Sequence, residues 1–183
     1  MTANFRVTLL GTGVPIPLPD RFGPSTLIEA GDHTLLMDAG RGATIRLFQL
    51  GVLIGSIDAL LLTHFHSDHT VGIPDLWLTG WLSSYFGNRR RPFNVIGPLG
   101  TAKLMHHIEA AYSQDIEIRV ADEKLAREHA SIAVKEFSGD SVVCQANDLR
   151  VAAFTVDHGE AIKPAYGYRI EYQGRVAVIG DPL

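Results

Sequence analysis

The stretch "LLLTHFHSDH", residues 60–69, places His64, His66, Asp68 and His69 directly after a run of leucines. Imidazole nitrogens and carboxylate oxygens are suitable ligands for zinc and similar divalent ions. His64 and His66 stand two apart, so where the chain is extended both side chains project to one side. Asp68 and His69 follow at a distance where a turn can swing them towards a second point. Burying three histidines and an aspartate without partners would be costly, and metal binding removes that cost. The chemistry such a group points to is the binding of a divalent metal ion.

The elements that carry these residues follow from the flanking pattern. "IDALLLTH" is a short, nearly continuous apolar run, the signature of a strand buried on both faces. Such a strand should end at the carboxyl edge of an open α/β sheet, where ligands bind. Upstream, "FRVTLLGTG" reads as a strand, and the proline-rich "VPIPLPDRFGP" as an irregular loop. "STLIEAG" and "HTLLMDAG" form a predicted hairpin around Gly31-Asp32. "ATIRLFQLGV" has helical spacing that stops at Gly51. Downstream, "VGIPDLWLTGWLSSYF" and "GTAKLMHHIEAAYSQ" are predicted helices on either side of the strand "FNVIGP". Five short strands are expected from "SIAVKEFS" to "GRVAVIGD". Interleaved helices and strands with a strand-rich end indicate a layered α/β fold in a single domain, residues 1–183.

Composition narrows the class. The 183 residues are 46% hydrophobic and 20% charged, with a formal net charge of -4, so no broad basic surface is expected. Arg89-Arg90-Arg91 reads as a solvated loop. The one cysteine, Cys144, cannot form an intrachain disulfide and reads as a small buried residue. His33, His106, His107 and His129 are taken as structural or merely exposed. With no secretory pattern at the N-terminus and no apolar run of membrane-spanning length, the expected location is the cytoplasm.

"THFHSDH" matches the HxHxDH motif of the metallo-β-lactamase superfamily. "TLLGTGVPIPLPDRFGPSTLIE", "TVGIPDLW", "AAYSQDIEIR" and "VDHGEAIKPAYGYRI" resemble the branch that holds zinc-dependent arylsulfatases and tRNA 3′-processing endonucleases (ribonuclease Z). The resemblance implies an αβ/βα sandwich and two divalent metal ions, zinc first, with manganese or iron as alternatives. It implies that His64, His66 and His158 bind the first ion, that Asp68 and His69 bind the second, and that Asp181 bridges them. Asp68 could also take a proton from the attacking water as general base. Asp38 of "LLMDAG" is the candidate partner for the ligands' outer ring nitrogens.

Three departures from the branch shape the expected function. The "GYR" segment passes into the next strand through Gln173-Gly174, which leaves no room for the arm with which ribonuclease Z grips tRNA. "PLPDRFGPS" lacks basic character as well. The family continues for roughly another hundred residues and supplies a later histidine, so the sandwich is expected to be incomplete at its C-terminus, and a second copy or a partner chain could complete it. Pro182 stands where the family usually has threonine. The expectation is therefore a hydrolase of small sulfate, phosphodiester or carboxylic esters, with tRNA an unlikely partner. A tRNA 3′-processing endonuclease and a non-catalytic metal-binding protein are the alternatives.

Overall fold

The computed structural model describes residues 5–180. Ten strands build two sheets. The first has β1 (Phe5–Gly11), β2 (Ser25–Ala30), β3 (His33–Met37), β4 (Ala59–Leu61), β5 (Phe93–Pro98) and β6 (Ile132–Phe137), in that spatial order. β1 to β3 run antiparallel, and β3 to β6 are parallel. The β2–β3 hairpin turns through Gly31, whose φ of 61° suits a residue without a Cβ. The second sheet holds β7 (Ser141–Ala146), β8 (Leu149–Thr155), β9 (Tyr166–Tyr172) and β10 (Arg175–Ile179), in the order β10-β9-β8-β7 and antiparallel throughout.

The helices connect the parallel strands: α1 (Ala43–Gln49), α2 (Ser67–Thr70), α3 (Ile73–Trp81), α4 (Thr101–Ala111), α5 (Ser113–Asp122) and α6 (Arg127–Ala130). Alternation along the strands assigns the two faces of the first sheet. Leu27, Leu36, Leu60, Leu62 and Val95 pack with Leu47 of α1, Trp77 and Trp81 of α3 and Met105 of α4. The neighbours one position along, Ile28, Leu35, Leu61 and Ile96, pack with Val151, Tyr168 and Ile170 of the second sheet. Leu60, Leu61 and Leu62 are fully buried, as a strand covered on both faces must be. Among the described residues, then, the layers run helix, sheet, sheet. No helix there is long and apolar enough to cross a membrane.

Three sequence expectations change. The helix predicted through Phe86 ends at Trp81, because Leu82 turns extended and Asn88 and Ser84 close on its carbonyl. The polar stretch "SQDIEIRVAD" forms α5, where Arg119 pairs with Asp115 at 2.9 Å and Glu123 at 2.7 Å, one helical turn to either side. The arginine run is not a solvated loop. Arg89 is 3% exposed. Its guanidinium donates to the carbonyls of Trp77, His129 and Arg91 and lies over the Phe93 ring at 5.1 Å. Burial pulls its pKa down to about 10, yet every bond it makes suits a cation. Arg89 therefore ties α3 to the end of α6, while Arg91 reaches Asp58 at 2.8 Å.

Candidate metal centre

The site is built at the carboxyl ends of β3 and β4. Asp38 follows β3 with a φ of 56°, a left-handed conformation that few residues other than glycine adopt. Its amide donates to the Leu61 carbonyl, which fastens the turn to β4. The next residues lie against the histidine motif: the Ala39 amide donates to the His69 carbonyl, and a Cβ on Gly40 would fall 2.5 Å from the Asp68 carbonyl oxygen. Only glycine allows the two segments to approach so closely. The second sheet is locked to the same point. Tyr168, fully buried, donates its hydroxyl to the Leu62 carbonyl at 2.6 Å, and the Tyr166 amide donates to the Thr63 carbonyl.

Asp38 organises the side chains. Its carboxylate accepts from the Thr63 amide at 2.9 Å and from the Thr63 hydroxyl at 2.7 Å. It also lies 2.8 Å from His69 Nδ1. A carboxylate here can only accept, so Nδ1 of His69 carries the proton and Nε2 keeps its lone pair. The same reasoning extends one step. Thr63 Oγ1 gives its hydrogen to Asp38 and so accepts from His64 Nδ1, 3.0 Å away. Two imidazoles thus have their inward nitrogens set by one buried carboxylate, as metal-ligating histidines require. Asp38 was expected to support the ligands; its imidazole partner is His69 directly and His64 through Thr63.

The imidazoles converge. His64 Nε2 is 3.0 Å from His66 Nδ1, close to the ~3.3 Å between two nitrogens bound 2.0–2.1 Å from one tetrahedral ion. Ligand atoms of His64, His66 and His158 all lie within 4.8 Å of one another. His158 comes from the loop after β8, so the second sheet contributes to the centre. The His69 ring centroid is 4.1 Å from that of His64, and its Nε2 is 3.9 Å from Asp68 Oδ2. Burial first, then the neighbouring imidazoles, push the His64 pKa down to about 3. The ring is therefore neutral across the physiological range, the state that a metal needs. The donor set and its geometry fit a divalent ion at His64, His66 and His158, with Asp68 and His69 beside it. Asp181, expected as the bridge, lies outside the described residues.

Two clefts flank the cluster. One, of about 210 Å³, is bordered by Thr12, Ser25, Asp38, Thr63 and His69. The other, of about 200 Å³, is bordered by His64, Phe65, His66, Ile162 and Lys163. A larger cavity, of about 460 Å³, opens at the amino ends of β3 to β5, bordered by His33 but by none of the clustered histidines. Cys144 borders it and is half-buried rather than buried, with its thiol pKa raised by that partial burial. Sequence reasoning passed over Thr63 and Phe65. Both were in plain view inside the motif, but neither residue type by itself signals chemistry.

Comparison with known proteins adds the family context. The profile described as "Anti-Pycsar protein Apyc1" matches residues 5–182. Two proteins named Ribonuclease Z, from Mycobacterium marinum and Mycolicibacterium gilvum, are 38% and 40% identical over 178 residues, 97% of this chain. The chain spans 63% and 61% of their respective lengths. Among solved structures, the short form of human tRNase Z aligns with a TM-score of 0.74 at 22% identity, covering 96% of this chain and 68% of that one. Zinc-bound PqqB from Methylobacterium extorquens aligns with a TM-score of 0.60 at 18% identity, covering 94% and 63%. The fold is the metallo-β-lactamase fold.

These relatives overturn one expectation. The expectation of a small-ester substrate, with tRNA an unlikely partner, rested on a net charge of -4, on the non-basic "PLPDRFGPS" loop and on the tight turn at Gln173-Gly174. The turn is real, with φ values of 47° and 76°, but curated relatives 38–40% identical over 178 aligned residues are named Ribonuclease Z. Net charge was a poor guide because it sums the whole surface, whereas phosphate contacts depend on the few side chains at the mouth of the site.

Proposed function

The chain belongs to the family described as anti-Pycsar protein Apyc1 and has the metallo-β-lactamase fold, and from that premise we propose that it is a metal-dependent phosphodiesterase acting at the 3′ end of precursor tRNA. The observation that carries this reading is the 38–40% identity with ribonucleases Z over 97% of the chain, coupled to an imidazole cluster of the kind that holds a hydrolytic metal.

His64, His66 and His158 would hold the first ion and Asp68 and His69 the second, with Asp181 as the bridge between them. When bound, divalent ions polarise the phosphoryl oxygen and lower the pKa of water. The protein supplies the rest. Asp38 keeps the inward nitrogens of His64 and His69 unprotonated through the hydrogen bonds at their Nδ1 atoms. Asp68, largely buried beside His69, takes the proton of the water that attacks phosphorus, as general base. The buried floor formed by Leu62, Thr63 and Tyr168 excludes bulk water from beneath the cluster.

Incubating the chain with an unprocessed tRNA precursor and zinc or manganese tests this reading. Cleavage at the discriminator base, lost in His64→Ala, is the expected result. A metal-loaded chain that leaves the precursor intact overturns it.

A further inference from the structure

Phe65 lies between two of the clustered histidines, yet its ring is not buried with His64. It is 38% exposed, at the wall of the 200 Å³ cleft that His64 and His66 also border. Leaving a large apolar ring in water forfeits part of the roughly 1.5–3 kcal/mol that burial would contribute, so its position calls for an explanation. A Cβ on Gly100, whose φ is 109°, would sit 3.2 Å from Phe65 Cε2 and 3.5 Å from Cζ. One edge of the ring therefore lies close to the bare Gly100 backbone at the start of α4. Ile162 and Lys163, on the same loop as His158, border the same cleft. Among the described residues, those bordering this cleft include a lysine and no carboxylate, although acidic side chains outnumber basic ones, 20 to 16, in the whole chain.

An aromatic face beside a cation is how proteins seat single-stranded nucleic acid: a base stacks on the ring and its phosphate meets the cation. From this geometry, and resting on the RNA reading above, we infer that Phe65 and Lys163 form a nucleotide seat. An unpaired base stacks on Phe65 against Ile162, and its phosphate contacts the Lys163 ammonium. The neighbouring phosphodiester then reaches His64 and His66. Neither residue takes part in bond breaking; they position the strand and favour an unpaired nucleotide next to the scissile bond.

Binding and cleavage separate this inference from the function it rests on. A labelled single-stranded RNA oligonucleotide is titrated into the chelated chain by fluorescence anisotropy, over a range of salt concentrations. Phe65→Ala is expected to weaken binding about 5- to 150-fold, the range that loss of one stacked base implies. Phe65→Leu should weaken it nearly as much, because leucine restores packing on Gly100 but offers no π face. Lys163→Ala should reduce the slope of log affinity against log salt by about 0.7, one phosphate contact on a single strand. Wild-type chain that binds no single strand, or variants with unchanged affinity and slope, overturn the seat. Full recovery by Phe65→Leu also overturns it, because packing alone would then explain the ring. Precursor cleavage on the metal-loaded chain is scored independently: cleavage with normal KM in all three variants rejects the seat and leaves the function standing. Absent cleavage with intact salt-dependent binding rejects the function and leaves the seat.

Discussion

Asp38 stands at the base of the site, and one side chain there governs two rings. Its removal leaves the protons of His64 and His69 free to move to the inward nitrogens. Asp38→Ala should therefore weaken the tighter metal by about 10- to 100-fold, the usual cost of losing such a partner. Competition against a chelator measures this, and an unchanged affinity would show that Asp38 serves only the turn. By the same assay His158→Ala should cost at least as much, whereas His69→Ala should spare the tighter ion. Equal losses for the two would mean that the ligands are divided differently. Acidity gives a second test. The folded His64 pKa lies near 3 against an ordinary 6.5, so between those values the unfolded chain binds a proton that the folded chain refuses. Stability of the metal-free protein should thus be intact above pH 6.5 and fall below it, by at most about 1.4 kcal/mol per pH unit from this group. Urea denaturation of chelated protein at pH 7 and pH 5 reads the difference. The histidine cluster could be found in the sequence because its spacing is local. Which ring Asp38 would face could not be, since it pairs with His69 across 31 positions, a distance that only the fold closes.

The elements hold the site by a few specific joints. Tyr168 carries one of them: its hydroxyl, with a pKa well above the usual phenolic range because it is buried, joins β9 to the end of β4 through the Leu62 carbonyl. Tyr168→Phe should cost about 1–3 kcal/mol in urea denaturation and also weaken metal binding, because His64 is two residues away. A stability loss with unaltered metal affinity would confine Tyr168 to the core. Gly40→Ala should do more damage at the site than in the core, since its Cβ would press on the Asp68 carbonyl. Most of these elements were evident from periodicity: the buried β4, the β2–β3 hairpin and the five late strands each follow a simple apolar pattern. α5 was not, because its apolar residues are few and its ion pairs with Arg119 do not register as a hydrophobic stripe. Arg89 misled for a related reason. Charge runs are usually solvated, and it is the carbonyls gathered from Trp77, His129 and Arg91, with the Phe93 ring, that make its burial favourable.

At the scale of the molecule, the two sheets pack face to face beneath the histidines, and segments following β4 and β8 both carry imidazoles of the cluster, so the centre exists only when both sheets are folded. Metal should accordingly stabilise the whole chain, and its removal should lower the unfolding midpoint in proportion to occupancy. Global charge failed as a guide to partners; the local wall of Phe65 and Lys163 tells more than the -4 total. The fold class and the metal-competent residues were accessible from sequence because both follow from pattern and motif. The substrate was not, because it depends on which side chains the loops after β4 and β8 bring together. The most direct test of the account is cleavage of a 3′-extended tRNA precursor by the chain as purified, after chelation, and after zinc or manganese is restored. The account predicts cleavage at the discriminator base that disappears on chelation, returns with metal and never appears in His64→Ala. Cleavage that persists in the chelated chain or in His64→Ala, or no cleavage at all in the loaded chain, would contradict it.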